Sequence, residues 1–232
     1  MHNDLLHSLY LHFCSAKSAQ VREALSHFQC SNEAWRALSQ RDRHLAASLK
    51  TKHALIDRGL AWIKQPNNHI IAWHQEQYPQ ALRQIDSPPA FLFISGSLEL
   101  LWHPQIAIVG SRQPSASALE VGYHFAPNLA QKGFTITSGL ARGIDTSAHF
   151  GALSHGKTIA ALATGPDIAF PSKNQDLYEQ IAELGTLITE HAPGIPALRS
   201  HFPARNRIIA GLSQGTVVIE AAIRSGALIT AR

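Results

Sequence analysis

Residues 202–213 read Phe-Pro-Ala-Arg-Asn-Arg-Ile-Ile-Ala-Gly-Leu-Ser. Arg205 and Arg207 flank Asn206 and lead into Ile208, Ile209 and Leu212, apolar residues spaced for one face of a helix. Between Glu190 and Glu220 the chain has no Asp or Glu but three arginines, Arg199, Arg205 and Arg207. Unpaired arginines at the mouth of a helix suit phosphate, because the guanidinium fork adds to the free amides and positive dipole end of the helix. Two other segments offer related chemistry. Gly110-Ser111-Arg112 supplies a glycine for close backbone approach, a hydroxyl and a cation, ahead of a helix start marked by Pro114. The run Ser138-Gly139-Leu140-Ala141-Arg142-Gly143-Ile144-Asp145 brings two glycines, another arginine and an Asp placed to cap the next helix and orient an arginine.

These segments fall where a parallel sheet would put them. From residue 105 onward short apolar runs alternate with helical stretches: Ile106–Val109, Phe134–Thr137, Thr158–Leu162, Thr186–Thr189 and Thr216–Ile219. That alternation predicts βαβ units and a doubly wound, mostly parallel α/β sheet covered on both faces. In such a sheet the loops after the strands carry the ligand site. The three arginine-bearing segments, with Thr164-Gly165 and the stretch from Glu190, are those loops. Pro127 falls inside the helix expected over 115–132 and predicts a kink or break there. The first 66 residues read as a small all-helical domain, with Ser31 as an N-cap and Gly59 ending or interrupting a helix. The turn at Pro66-Asn67-Asn68 separates it from a sheet domain over 67–232. Strands at His69–Trp73 and Phe91–Ser95 read as an added layer on the following sheet.

Composition narrows the function classes. With 45% hydrophobic and 16% charged residues among 232, the chain is an ordinary globular one. No run reaches the length of a membrane span, and the N-terminus lacks the pattern of a signal peptide, so the cytoplasm is the expected location. Cys14 and Cys30 form no Cys-x-x-Cys pair, and the 14 histidines are scattered without metal-ligand spacing, so neither disulfide, metal nor cofactor is expected. A formal charge of +4 permits nucleic acid as a partner. Residues 1–105 and 106–232 each carry ten basic and eight acidic groups, so an anion site must come from local clustering. Gly-x-Gly-x-x-Gly is absent, and the strings Gly211–Gly215 (Gly-x-Ser-x-Gly) and Gly151–Thr158 (the Walker lysine pattern) lead into the apolar runs Thr216–Ile219 and Thr158–Leu162 rather than out of a strand into a helix. Neither therefore forms a nucleophile elbow or a phosphate loop, and the chain reads as a binding protein rather than an enzyme.

Gly110-Ser111-Arg112, Ser138–Asp145 and Phe202–Ser213 together resemble the DprA, or Smf, family of DNA-processing proteins. Tyr78-Pro79, Pro88-Pro89, Glu220-Ala221 and Ser225–Ala231 fit the same pattern, which spans about residues 70–232. Thr164-Gly165-Pro166-Asp167 and Phe170-Pro171 stand where the family carries Gly-x-Gly-x-Asp and Tyr-Pro. The resemblance implies an extended Rossmann-like domain preceded by a SAM-like helical domain, acting as a homodimer. It implies a single-stranded-DNA-binding protein of natural transformation that protects incoming strands and helps load the RecA recombinase. Arg112 would then hold phosphate. Lys173 and the Arg199–Arg207 segment would line the same groove, with Phe202 stacking on a base. Arg232 falls within a family motif, so the sheet domain is expected to be truncated there.

One enzyme reading competes. Gly215, Thr216 and Glu220 resemble an element of nucleoside-monophosphate phosphoribohydrolases of the lysine-decarboxylase-like Rossmann group. Leu212-Ser213-Gln214 replaces the Pro-Gly-Gly expected before it, and the spacing differs by one residue.

Overall fold

The structure is a computed structural model, and it describes residues 2–155, 157–222 and 225–231. Helices α1 (His2–Phe13), α2 (Ser18–Phe28), α3 (Ser31–Arg41), α4 (Arg43–Ser48) and α5 (His53–Trp62) come first. They lead through β1 (Asn68–Ala72), α6 (Gln80–Arg83) and β2 (Phe91–Gly96) to a regular alternation. This runs β3 (Gln105–Gly110), α7 (Ala116–Gln131), β4 (Thr135–Ser138), α8 (Ile144–Leu153), β5 (Thr158–Ala161) and α9 (Gln175–Leu184). It closes with β6 (Thr186–Thr189), α10 (His201–Leu212), β7 (Gly215–Ile219) and α11 (Gly226–Ala231).

The strands form one sheet in the order β1-β2-β6-β5-β4-β3-β7. Pairing is parallel from β6 to β7 and antiparallel where β2 joins β6 and β1 joins β2. This is the doubly wound, mostly parallel sheet that the alternation predicts, in the extended Rossmann-like form that the family resemblance implies. The two early strands, expected as an addition to the following sheet, extend it at its β6 edge. Chain direction along the sheet reverses at β3: β4, β5 and β6 lie to one side and β7 to the other.

Side-chain alternation along the strands assigns each face its cover. Ala107, Val109, Ile159, Ala161 and Ile188 meet Ile208, Ile209 and Leu212 of α10 with Leu82 of α6. On the opposite face Ile108 and Ile136 pack with Ile144 and Ala148 of α8, and Ala160 and Leu187 with Leu177 and Ile181 of α9. The first five helices share a core with Ile70, Ala72, Phe91 and Phe93 of the antiparallel edge. Helices and sheet are thus continuous in their packing. Arg58 of α5 reinforces this through a 2.5 Å ion pair with Asp167, on the loop after β5.

Three local expectations change. Gly59 sits inside α5 because Leu9 packs against it: a Cβ there would lie 2.8 Å from the leucine Cδ2. Ser31 is the first residue of α3, and its hydroxyl bonds to Ser8 at 2.8 Å. Asp4 supplies the cap instead, accepting from the Asn32 amide at 3.1 Å. Helix α7 runs unbroken through Pro127. The Tyr123 carbonyl, four residues back and deprived of its usual donor, lies against Gly151 of α8, where a Cβ would be 2.2 Å from it. A glycine in the neighbouring helix is what lets α7 and α8 close together around the proline.

Three histidines, His149 fully buried and His12 and His191 half-buried, stand in this packing in neutral form. The His149 ring lies 2.7 Å from the Thr158 hydroxyl, which itself donates to the Ile136 carbonyl, so the proton resides on His149 Nδ1. Burial pushes its pKa down to about 3. Burial likewise holds His12 at about 4, and with help from His201 holds His191 at about 3. All three lie below the ordinary value of 6.5, so the unfolded chain takes up protons that the fold resists. Stability is full well above pH ~6.5 and falls as acid is added, the loss from His12 levelling off near pH ~4 and that from His149 and His191 near pH ~3, each histidine costing about 1.4 kcal/mol at pH 5.5. Urea denaturation at pH 7.5 and 5.5 should show a clearly lower midpoint at the acid pH. Equal midpoints would contradict this account.

Candidate nucleic-acid interface

The loops after β3, β4 and β5 meet the start of α10 around a cleft of about 620 Å³. Its walls include Ser111 and Arg112 from the first loop, Gly139 and Arg142 from the second, Ala163, Phe170 and Pro171 from the third, and Phe202 of α10. This is the carboxyl end of the parallel strands, beside the reversal of chain direction, where ligand sites of doubly wound sheets form.

Arg205 fixes the loops. Helix α10 begins at His201, so Arg205 lies in its interior and not at its mouth. Its side chain is buried, and Nη1 donates to the carbonyls of Gly139, at 2.5 Å, and Ala161. Gly139 is glycine for this reason: a Cβ there would lie 2.5 Å from the guanidinium. Asp145 sits on the other side of the same loop. Its carboxyl accepts from the amides of Gly139 (3.1 Å) and Ala141 (3.3 Å), capping the preceding turn rather than its own helix. Burial lowers the Arg205 pKa to about 10, opposed by Asp145 and assisted by the nearby charge of Arg112. Burial raises the Asp145 carboxyl from its ordinary value, opposed by Arg205 and the two amides.

The reading of Arg205 and Arg207 as an unpaired phosphate-binding couple is therefore corrected. Arg205 is committed to main-chain carbonyls. Arg207 turns to another face of the helix and pairs with Glu190 at 2.6 Å. Glu190 bounds the acid-free stretch in sequence, and the fold brings it back onto that stretch. Ser138 also leaves the candidate surface, since it is fully buried and donates to the Ile108 carbonyl at 2.6 Å. Asn206 joins α10 to α11 by a 3.1 Å bond to the Gly226 carbonyl. Gly110, Asp145, Arg205 and Asn206 line an adjoining hollow of about 380 Å³. Gly143 adopts φ 81°, a Cβ there would lie 2.3 Å from the Ser111 carbonyl, and that carbonyl accepts from the Ile144 amide at 3.1 Å, joining the first two loops. Lys173 and Arg199 are exposed and stand outside the residues lining the cleft, Lys173 two positions beyond Pro171.

Two cations stay uncommitted. Among the described residues the ion pairs are Arg58–Asp167 and Arg207–Glu190, which leaves the exposed Arg112 and Arg142 without an acidic partner. Arg112 lies over the Phe202 ring, 5.6 Å from its centroid. Phe202 in turn meets Phe170 at 5.4 Å between centroids. Phe170 is 45% exposed and was missed as a site residue. An exposed aromatic before a proline in a strand-end loop was its signal. Cation, ring and ring in succession, open to solvent, can hold a phosphate and offer flat apolar faces to a base.

The sequence profile of the family described as DNA recombination-mediator protein A matches residues 69–232. The chain belongs to the DprA/Smf family. Protein Smf of Escherichia coli (strain K12) is 43% identical over 197 residues, covering 84% of this chain and 52% of its own length. The DNA processing protein DprA of Streptococcus pneumoniae (strain ATCC BAA-255 / R6) is 46% identical over 154 residues, covering 66% of this chain and 54% of its own. The chain thus spans about half the length of these DprA/Smf relatives. An X-ray structure of the Streptococcus pneumoniae DprA superposes with a TM-score of 0.80 at 34% identity, over 96% of this chain and 80% of that one. DNA processing protein A from Helicobacter pylori, described for its single-stranded DNA binding mode, gives a TM-score of 0.65 at 29% identity. That match covers 70% of this chain and 74% of the other.

Residues behind the competing enzyme reading lie elsewhere on the DprA/Smf fold. Gly215 and Thr216 begin β7, opposite Ile106 and Ala107 and so at the far end of the sheet from the cleft. The Glu220 carboxylate caps α7, accepting from the Ser115 amide at 3.0 and 3.1 Å. No helix is long and apolar enough to cross a membrane, and no cluster of His, Cys, Asp or Glu suited to a metal ion occurs among the described residues.

The two arginines should respond differently to truncation. Arg205→Ala removes a buried charge and strands two carbonyls, and is expected to cost about 3 kcal/mol of folding stability. Arg112→Ala, at the surface, should stay within about 0.5 kcal/mol. Denaturant titration of both variants checks this, and equal losses would refute the division of roles.

Proposed function

We propose that the cleft binds single-stranded DNA. The observation that carries the reading is the pair of uncommitted arginines beside the Phe170–Phe202 rings, in one cleft at the carboxyl ends of the strands. Phosphates would lie against Arg112 and Arg142, with Lys173 along the exit, while bases stack on the two rings. Recognition of this kind follows the backbone and tolerates any sequence. The Gly139 and Ala141 amides are occupied by Asp145, so side chains rather than loop amides supply the phosphate contacts. Arg205 is assigned a positioning role. The single-stranded DNA binding mode described for the Helicobacter pylori relative supports the reading.

In this proposal the chain acts by binding, without catalysis or cofactor, in the cytoplasm and as a homodimer. Residues 1–66 form the helical domain and 67–232 the DNA-binding domain. The role that fits is protection of incoming single strands in natural transformation and their delivery to the RecA recombinase.

With three cations on the backbone at ~0.7 each, log affinity should fall with log salt at a slope of about −2. Fluorescence anisotropy with single-stranded and duplex oligonucleotides across a salt series measures it. Arg112→Ala should weaken binding to every sequence alike and flatten the slope by about 0.7. A salt-independent affinity, or a variant that changes base preference while keeping affinity, would overturn the assignment.

A further inference from the structure

Beyond Arg112 and Arg142 the surface does not return to ordinary polar character. A second groove, about 660 Å³, opens on the outer side of the α7–α8 pair and shares both arginines with the cleft. Its apolar wall is Leu119 and Tyr123 of α7 with Phe150 of α8. Tyr123 is 48% exposed and Phe150 43%, although their helices approach closely at Gly122 and Gly151. Gly122 faces Ser147, and Gly151 receives the Tyr123 carbonyl, so small residues occupy the contact and the two aromatics remain outside it. Large exposed rings on such a tightly packed pair contribute little to the fold. His124 adds a third nitrogen-bearing side chain to the groove, and Glu120 is its one acid.

We infer that this groove is the continuation of the DNA path: a single strand leaving the cleft crosses between Arg112 and Arg142, and its next bases stack on Tyr123 and Phe150. The inference rests on the single-stranded-DNA reading of the cleft and adds to it a second set of base contacts on a different pair of helices. Two features favour a nucleic acid over a second protein chain here. The arginines shared with the cleft make the two depressions one continuous surface. The rim is cationic while the wall is aromatic, which matches a polyanion carrying flat apolar bases. Ser111 lines the cleft and Gly143 the second groove, and the Ile144 amide donates to the Ser111 carbonyl at 3.1 Å, so the two depressions adjoin where the arginine-bearing loops meet.

The path predicts a dependence on strand length. Anisotropy is measured with an oligothymidylate of about four nucleotides, enough for the cleft, and one of about twelve. The unaltered chain should bind the longer strand more tightly than the shorter. Tyr123→Ala together with Phe150→Ala should remove most of that gain, about tenfold, and leave the short strand's affinity unchanged. Tyr123→Trp should restore it and show quenching of the new indole by the long strand alone. Thermal melting confirms that the double variant remains folded, as the exposure of both rings leads one to expect. If the double variant keeps the full length-dependent gain, the groove is not on the path, while the reading of the cleft stands. If the unaltered chain binds neither strand, the reading of the cleft has failed and this inference with it. If the substitutions change the sedimentation coefficient and leave both affinities untouched, the wall belongs to an interface between copies, and the inference is overturned.

Discussion

The buried guanidinium of Arg205 is the constraint on which the rest of this structure depends. A charge without water must find its hydrogen-bond partners inside the protein, and here they are the carbonyls that end β4 and β5. Meeting that demand draws α10 over the strand ends and requires a residue without a side chain at position 139. Asp145 completes the arrangement by gathering the amides of the same loop. The loop is thereby held from both sides, its carbonyl by a cation and its amides by an acid. Arg142 follows within this tied segment, and Arg112 enters it through the Gly143–Ser111 contact.

The structure divides its charges into those that hold the fold and those left for a ligand. Arg58 and Arg207 reach acids on loops distant in sequence and tie the helical region and α10 to the sheet. Arg112 and Arg142 have no such acid among the described residues, and Arg112 rests on a phenylalanine that offers a π face in place of a carboxylate. An arginine over a ring keeps its donors for an incoming phosphate, which an arginine in an ion pair does not. The buried Arg205 lies close enough to Arg112 for the charge of Arg112 to help lower the Arg205 pKa. The proposed binding of a single strand rests on this division rather than on the count of basic residues, which is the same in both halves of the chain.

Much of this was readable from residues alone. The strands of the parallel sheet were legible within a residue or two because each is a short apolar run bounded by glycine or polar turns. Ser111, Arg112, Gly139, Arg142 and Phe202 were all assigned to strand-end loops or the helix that meets them, and all line the cleft. Less legible was whatever depends on an approach from afar. The unbroken course of α7 through Pro127 depends on Gly151, and the place of Gly59 inside α5 depends on Leu9. Neither partner is near in sequence. Ser138 opens one of the candidate runs, yet its backbone is part of the central sheet and its side chain is buried, donating to the Ile108 carbonyl.

The arginine stretch shows most clearly where the two kinds of information part. By itself the sequence determined that a helix carrying Arg205 and Arg207 follows the last strand-end loops, because the apolar spacing of Ile208, Ile209 and Leu212 is a local property of the chain. It also determined, through motifs spread over residues 69–232, the family. Only the tertiary structure decided which arginines are free. Positions 205 and 207 lie on different sides of one helix, so one turns into the carbonyls of β4 and β5 and the other meets an acid 17 residues upstream. A guanidinium is available to a ligand only when no buried acceptor claims it, and acceptors are brought near by folding rather than by sequence distance.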